Sequence, residues 1–147
     1  MSAATVDWQV LPDAAAVAQA AAVEISAAAA AAIAARGCFR LVLAGGRTPA
    51  AAYRLLRATP QDWARWEIYF GDERCLPPDA AERNSQLALA TWLRHVAVPA
   101  GQIHVIPAEL GAEQAAARYA PIVAAAAPFD LVLLGIGEDG HTASLFP

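Results

Sequence analysis

The sequence predicts an α/β fold: a three-layer α/β/α sandwich built on a mostly parallel sheet. Segments with strand character alternate with helical segments of about ten or more residues, the pattern of right-handed βαβ units. Residues 129–134 form an unbroken apolar run, which is typical of a parallel strand covered on both faces. The chain has 147 residues, a length that suits one domain over residues 1–147 with a sizeable core.

Capping residues mark the helices of the first half of the chain. Asp13 is a favourable N-cap residue and Gly37 a favourable C′ residue, so the alanine-rich stretch between them is predicted to be one long helix. Thr48 followed by Pro49 predicts the N-cap and first residue of a second helix, to about residue 58. The strands of this half are predicted at residues 6–10, where residues alternate around Trp8, and at 39–44 and 67–70.

The second half has weaker helix signals. Asn84 or Ser85 can cap a helix that runs to about residue 93. Residues 109–127 have a mostly helical pattern despite Pro121. The remaining predicted strands are a short one at 103–106 and the apolar run at 129–134.

Composition argues against several classes of function. The net charge is −4 and no basic run occurs, so no nucleic-acid surface is expected. Cys38 and Cys75 form no CxxC pair and the three histidines lack metal-ligand spacing, so we expect no metal site and a reducing cytoplasm. Residues 14–35 are nearly uncharged, but Glu24 lies among them and alanine is only weakly apolar. A packed helix is therefore expected there, and no membrane span or signal peptide.

Three loops with polar or glycine-rich sequences each follow a predicted strand. The carboxyl ends of parallel strands lie at one edge of a sheet, where ligands bind in α/β proteins. We therefore expect the loops to converge on one site. Their chemistry-bearing residues are Gly45, Gly46, Arg47 and Thr48, then Asp72, Glu73 and Arg74, and finally Glu138, Asp139 and His141.

The first loop has the features of an anion site. Gly45 and Gly46 allow close backbone approach, and the free N–H groups at a helix start favour negative charge. Arg47 and Thr48 add a positive charge and a hydroxyl. The loop lacks the spacing and the lysine of a Walker A motif. An ordinary tight strand–helix turn is the alternative interpretation.

The second loop places three charges at a strand end, which is costly unless they are solvated, paired or used on a ligand. Arg74 could hold a phosphate or a developing oxyanion. Asp72 could bind sugar hydroxyls or hold Arg74. The alternative is a surface cluster of ion pairs.

The third loop offers acid/base chemistry. His141 is a candidate general base, oriented by Asp139 or by the backbone, and such a base typically contributes 10²–10⁴-fold in rate. A surface histidine in a turn is the alternative. Residues 135–140 also match GxGxxG, but a dinucleotide site needs a following helix and an acidic residue about 20 positions on. Ser144 lacks a GxSxG context and is not predicted to be a nucleophile.

Three segments together resemble the 6-phosphogluconolactonases: residues 43–49 (LAGGRTP), residues 66–79 with Asn84, and residues 133–147 (LLGIGEDGHTASLFP). The resemblance implies a Rossmann-like sandwich, as in glucosamine-6-phosphate deaminase and ribose-5-phosphate isomerase. It also implies hydrolysis of 6-phospho-D-glucono-1,5-lactone to 6-phosphogluconate in the oxidative pentose phosphate pathway, with no metal or organic cofactor. The implied small-molecule partner is this sugar-phosphate substrate.

The resemblance also implies residue roles. His141 would draw a proton from the water that attacks the lactone carbonyl, with Asp139 supporting its imidazole. The glycine loop and Arg74 would hold the phosphate end, and Asp72 and Asn84 would support the site or contact sugar hydroxyls. The implied substrate-binding residues are Gly45, Gly46, Arg47, Thr48, Asp72, Arg74 and Asn84.

Two alternatives stay open. The related deaminases carry a catalytic carboxylate just before the closing proline of the third motif, where this chain has Phe146. A non-catalytic module that binds sugar phosphates would also retain the glycine loop. Members of the resembled family are longer than this chain, so we expect a C-terminally truncated fold, with a missing segment or a second chain completing the sheet.

Overall fold

The structure is a computed structural model that describes residues 5–147. A parallel sheet lies at its centre, with strand order β3-β2-β1-β4. The strands are β1 (Phe39–Leu43), β2 (Trp66–Phe70), β3 (Ile103–His104) and β4 (Leu131–Val132). The helices are α1 (Ala14–Arg36), α2 (Arg47–Leu56), α3 (Asn84–Thr91) and α4 (Ala112–Ala126). The predicted α/β class and parallel sheet are therefore confirmed.

The main core lies between one face of the sheet and the helices α1, α2 and α3. Because side chains alternate along a strand, every second residue of β1 and β2 points to this face. These residues are Phe39, Leu41, Leu43, Trp66, Ile68 and Phe70, all of them buried. Trp66 makes an edge-on contact with Phe39 and with Trp92, at centroid distances of 4.8 and 5.7 Å. Aromatic packing of this kind stabilises the core beyond the area it buries.

The opposite face of the sheet has a smaller core, covered by α4 near β2 and β3. The Tyr119 hydroxyl accepts from the Phe70 amide at 3.0 Å and donates to the His104 carbonyl at 2.8 Å. This hydroxyl ties the helix to two strands. On this face β4 is left partly exposed by the described residues, since Val132 is 46% exposed. The sandwich therefore has three layers, one of them incomplete within residues 5–147.

The long helix α1 is bounded as its caps predict. The Asp13 carboxylate accepts from the Ala16 amide at 2.8 Å, and Gly37 ends the helix with φ of 79°. By length and composition α1 is apolar enough to cross a membrane. However, Ile25 and Ala29 are fully buried in the main core, which is the behaviour of a packed core helix.

The strand predicted at residues 6–10 is wrong. This segment has no regular structure, and Val6, Trp8 and Val10 are 73%, 84% and 93% exposed. Alternating apolar and polar residues give a segment one apolar face. A strand also needs a neighbouring strand to which its backbone N–H and C=O groups can hydrogen-bond. Among the described residues, no strand pairs with this segment.

Several predicted boundaries also shift. The strands at 103–106 and 129–134 shorten to β3 and β4. The second helix begins at Arg47 with Gly46 as its N-cap residue, so Thr48 lies inside the helix. Arg83 is the N-cap residue of α3, in place of Asn84 or Ser85, and the helix ends two residues before Leu93. The segment at 109–127 is divided into a 3₁₀ turn, Ala108–Leu110, and α4.

Candidate active site

A cavity of about 210 Å³ lies where the loops after β1, β2 and β4 meet. The chain winds from β1 outward to β2 and β3, then returns to place β4 on the other side of β1. Such a reversal of strand order opens a crevice at the carboxyl ends of the strands. The predicted site residues that line the cavity are Gly45, Gly46, Asp72, Arg74, Asn84 and His141. Arg47 lines a neighbouring cavity, whereas Thr48 and Asp139 line neither.

His141 and Asp139 form a close pair. The two side chains meet at 2.5 Å between imidazole Nδ1 and carboxylate Oδ1, and the same oxygen accepts from the His141 amide at 3.2 Å. These hydrogen bonds, the side-chain one first, hold the pKa of Asp139 below its ordinary value. An ionised carboxylate accepts a hydrogen bond from Nδ1–H, and in the neutral imidazole this tautomer leaves Nε2 with a free lone pair. The imidazole is 34% exposed, so water can reach it.

Two neighbours fix the plane of this imidazole. A Cβ atom at Gly137 would lie 2.2 Å from two ring atoms, so only glycine permits the observed approach. The Phe146 ring also stacks on the imidazole, with its centroid 4.8 Å from that of His141. The loop closes through a hydrogen bond of 2.8 Å from the Gly137 amide to the His141 carbonyl. The glycine spacing of this motif therefore shapes the loop around its own histidine.

The glycine loop after β1 fits against Asn84. A Cβ atom at Gly45 would lie 1.9 Å from Asn84 Oδ1. Gly46 has φ of 108°, a conformation that favours glycine, and it starts α2. The Asn84 amide group donates to both the backbone carbonyl and Oδ1 of Asp72, at 3.1 Å each. Asn84 thus connects the first loop to the second.

Glu73 has a structural role that sequence analysis missed. Its carboxylate accepts from the amides of Asn84 and Ser85, at 2.6 and 2.8 Å, and so caps α3. It also accepts from the Arg74 amide at 2.9 Å. Burial raises the pKa of Glu73, but these backbone hydrogen bonds outweigh burial, and the net pKa lies below its ordinary value. No local sequence signal indicates this cap, since the acceptor lies 11 residues before the helix.

Arg83 balances this buried carboxylate. The two side chains are each 1% exposed and lie 3.5 Å apart, from Arg83 Nε to Glu73 Oε2. Arg83 also pairs with Glu109 at 3.1 Å and donates to the Ile106 carbonyl at 2.7 Å. The acidic-basic triplet of the second loop is therefore neither a solvated surface cluster nor wholly a ligand site. Its middle residue holds the loop in place.

Four arginines line a second cavity of about 580 Å³ beside the first, and one of them, Arg83, is already paired with Glu73 and Glu109. The other three are Arg47, Arg54 and Arg74, and the two cavities share Gly46, Arg74 and Asn84. Among the residues that the structure describes, Arg47 and Arg54 make no ion pair. Arg54 lies two turns beyond Arg47 on α2 and is not among the residues predicted from the sequence. The seven-residue spacing on one helix was the signal available.

The described residues contain no group of three or more histidine, cysteine or acidic side chains placed to hold a metal ion. The chemistry-bearing groups of the site are therefore an imidazole–carboxylate pair, a glycine-rich helix start and a set of arginines. This combination can bind an anionic compound at one end and activate water at the other.

The comparison with known families matches residues 12–147 to the family described as glucosamine-6-phosphate isomerases/6-phosphogluconolactonase. The chain is 36% identical to a 6-phosphogluconolactonase of Nostoc sp. over 148 residues, and 39% identical to one of Mycobacterium tuberculosis over 153 residues. Each alignment covers 95% of this chain and 62% of the relative. The chain thus spans about 62% of the length of these relatives.

Solved structures of the same kind share the fold. The crystal structure of 6-phosphogluconolactonase from Thermotoga maritima superposes with a TM-score of 0.84 at 30% identity, covering 93% of this chain and 62% of that one. The enzyme from Trypanosoma brucei gives a TM-score of 0.83 at 25% identity, covering 95% and 62%. The strand order and helix layers described above are therefore those of a known architecture.

Proposed function

This chain belongs to the glucosamine-6-phosphate isomerase/6-phosphogluconolactonase family, and from that premise we propose that it hydrolyses 6-phospho-D-glucono-1,5-lactone to 6-phosphogluconate in the oxidative pentose phosphate pathway. The observation that carries the proposal is the His141–Asp139 pair, which places a free imidazole nitrogen beside a cavity lined by the glycine loop and Arg74. We also propose a cytoplasmic location, which fits two cysteines that are both free.

In the proposed reaction His141 acts as general base. Its Nε2 takes a proton from water as the water oxygen bonds to the lactone carbonyl carbon, which gives a tetrahedral oxyanion. The oxyanion then collapses, the bond from that carbon to the ring oxygen breaks, and the imidazolium returns its proton to the leaving oxygen. Ionised Asp139 stabilises the imidazolium between these steps. Such proton transfer typically contributes 10²–10⁴-fold in rate.

The phosphate end of the substrate would lie towards the arginines. A helix start alone provides only about 0.3–1 kcal/mol towards an exposed anion. Arg47 and Arg74 can add charge-assisted hydrogen bonds, which are about twice as strong as neutral ones. The oxyanion would be held by Arg74 or by backbone N–H groups of the loops, and one such donor can be worth about 2.7–4 kcal/mol. Gly45, Gly46 and Thr48 would complete the phosphate loop.

The geometry favours the lactonase over the deaminase. In this chain Phe146 packs its ring on His141, at the position where the sequence resemblance places a carboxylate in the deaminases. An apolar ring supplies neither acid nor base for opening a sugar ring. A purely binding module is disfavoured for another reason, since binding a phosphate does not need an imidazole whose Nδ1 is held by a carboxylate.

The test is hydrolysis of freshly generated 6-phosphogluconolactone above its spontaneous rate, by the wild-type chain and by His141→Gln. We expect turnover by the wild type and a loss of at least about 10²-fold in the variant. His95→Gln is the matched control, since the exposed His95 imidazole is hydrogen-bonded to the Ala90 carbonyl and does not line the cavity. A folded wild-type chain without turnover, or with turnover that survives His141→Gln, would overturn the proposal.

A further inference from the structure

The loop that carries His141 is attached to the rest of the described molecule by few hydrogen bonds. The last backbone bond to the sheet runs from the Leu133 amide to the Val42 carbonyl, at 2.9 Å. Beyond it, residues 134–147 form hydrogen bonds among themselves, with one exception. The Ser144 hydroxyl donates to Asp72 Oδ2 at 2.6 Å, and this bond joins the third loop to the second.

The backbone just before Ser144 has an unusual conformation. Ala143 has φ of 51°, in the left-handed region that residues with a Cβ atom rarely adopt. Such a conformation persists only where the surrounding contacts determine it. Here the Thr142–Leu145 backbone pair brackets the turn, and the turn carries the Ser144 hydroxyl to Asp72.

Asp72 is itself held from the other side. Its Oδ1 and its backbone carbonyl both accept from the side-chain amide of Asn84, which is buried against Gly45. A continuous series of contacts therefore runs from the glycine loop through Asn84 and Asp72 to Ser144. Both carboxylate oxygens of Asp72 are used within the protein, so its geometry suits holding a loop better than binding a sugar hydroxyl.

We propose that Ser144 is a positioning residue, whose hydrogen bond to Asp72 fixes the terminal loop so that His141 faces the anion-binding part of the cavity. The catalytic consequence rests on the proposed function, whereas the attachment of the loop does not. A reacting group displaced by about 1 Å can lose about 10²-fold in rate. Loss of this hydrogen bond should therefore lower kcat about 10–100-fold and leave KM nearly unchanged, because the phosphate-holding groups lie on other elements.

The experiment uses an isosteric pair at this exposed position. Ser144→Thr keeps the hydroxyl, whereas Ser144→Val has the same branched shape without it. Both variants are measured for kcat and KM, and for amide hydrogen exchange of residues 137–145 in the free chain, a readout that needs no activity. We expect Ser144→Val to lose kcat and to exchange faster in the loop, and Ser144→Thr to restore both.

The outcomes separate this proposal from the proposed function. If the wild-type chain shows no turnover, the proposed function fails, yet faster exchange in Ser144→Val alone still supports the attachment. Equal exchange in wild type and Ser144→Val would overturn it. A rise in KM with unchanged loop exchange would also overturn it, since Ser144 would then contact the substrate itself. The urea midpoint of each variant verifies that the fold is intact.

Discussion

Removing the carboxylate of Glu73 should cost about 4 kcal/mol of folding free energy. Breaking a buried ion pair by deleting one partner typically costs 3–5 kcal/mol, and here both side chains are 1% exposed. Arg83 keeps Glu109 as a second partner, at 3.1 Å and 35% exposed, which places the ion-pair loss near 3 kcal/mol. The amides of Asn84 and Ser85 lose their acceptors as well, and loss of a helix cap adds typically about 1 kcal/mol.

Urea unfolding at pH 7 measures this loss. Trp66 and Trp92 are fully buried, so tryptophan fluorescence reports on the main core. With a slope of about 2 kcal/mol per molar urea, Glu73→Ala should lower the midpoint by about 2 M. Glu82→Ala removes an exposed carboxylate nearby and should change stability by less than about 0.5 kcal/mol. A Glu73→Ala variant within 1 kcal/mol of Glu82→Ala would refute the buried cap.

Three further predictions concern packing, hydrogen bonding and pH. Gly45→Ala should cost about 1–3 kcal/mol in urea unfolding, because the new Cβ atom would displace the buried Asn84 amide. Tyr119→Phe should cost about 1–3 kcal/mol and speed amide exchange at Phe70, whose buried N–H loses its acceptor. The Glu73 pKa is lowered by folding, so its stabilisation is present above its ordinary value of 4.5 and is lost as pH falls through the folded pKa. Urea midpoints of Glu73→Gln should therefore depend less on pH below 4.5 than those of the wild type.

A control variant or a contradicting result tests each of these three predictions. Gly101→Ala adds a Cβ atom that meets nothing within 4 Å, and an equally mild Gly45→Ala would contradict the close packing of Asn84. Unchanged exchange at Phe70 would contradict the bridging role of the tyrosine hydroxyl. Glu82→Gln should keep the pH dependence of the wild type. If Glu73→Gln kept it too, the folded pKa of Glu73 would not be lowered.

Local features of the candidate site are predictable from the sequence because short stretches determine them. Gly45, Gly46 and Gly137 are needed where the backbone meets another group or takes a positive φ, and each lies within the motif that it shapes. Asp139 and His141, which pair with each other, are only two positions apart in the sequence. Parallel strand topology then brings such loops together, which is why six of the nine predicted residues line one cavity.

Long-range contacts explain what the sequence does not predict. Glu73 caps a helix 11 residues ahead, and Ser144 reaches Asp72 across 72 positions. Nothing near either residue indicates its partner. The segment at residues 6–10 fails for a related reason, since its alternation specifies an apolar face and not the neighbouring strand that would use it.

The apolar run at residues 129–134 gives a mixed result. It does form a parallel strand beside β1, but Leu131 and Leu133 pack on the main core while Val132 and Leu134 are 46% and 68% exposed. An apolar run without alternating polar residues predicts a strand that is buried on both faces of the sheet. One face is covered within residues 5–147, so the sequence pattern specifies more burial than the described residues provide.

We expect the pairing of β4 with β1 to form later in folding than the pairing of β1 with β2. β1 and β2 are joined by a short crossover, whereas Asp130 meets Arg40 across 90 positions, and closing a longer loop costs more chain entropy. Because the chain is synthesised from its N-terminus, the glycine loop, Asn84 and the arginines are all made before β4. The residues proposed to bind the phosphate would then be present in the growing chain before the proposed general base. Among these site residues His141 is synthesised after the others, in the loop that follows β4, and the contacts of Asp130 with Arg36 and the Arg40 amide anchor the start of that strand.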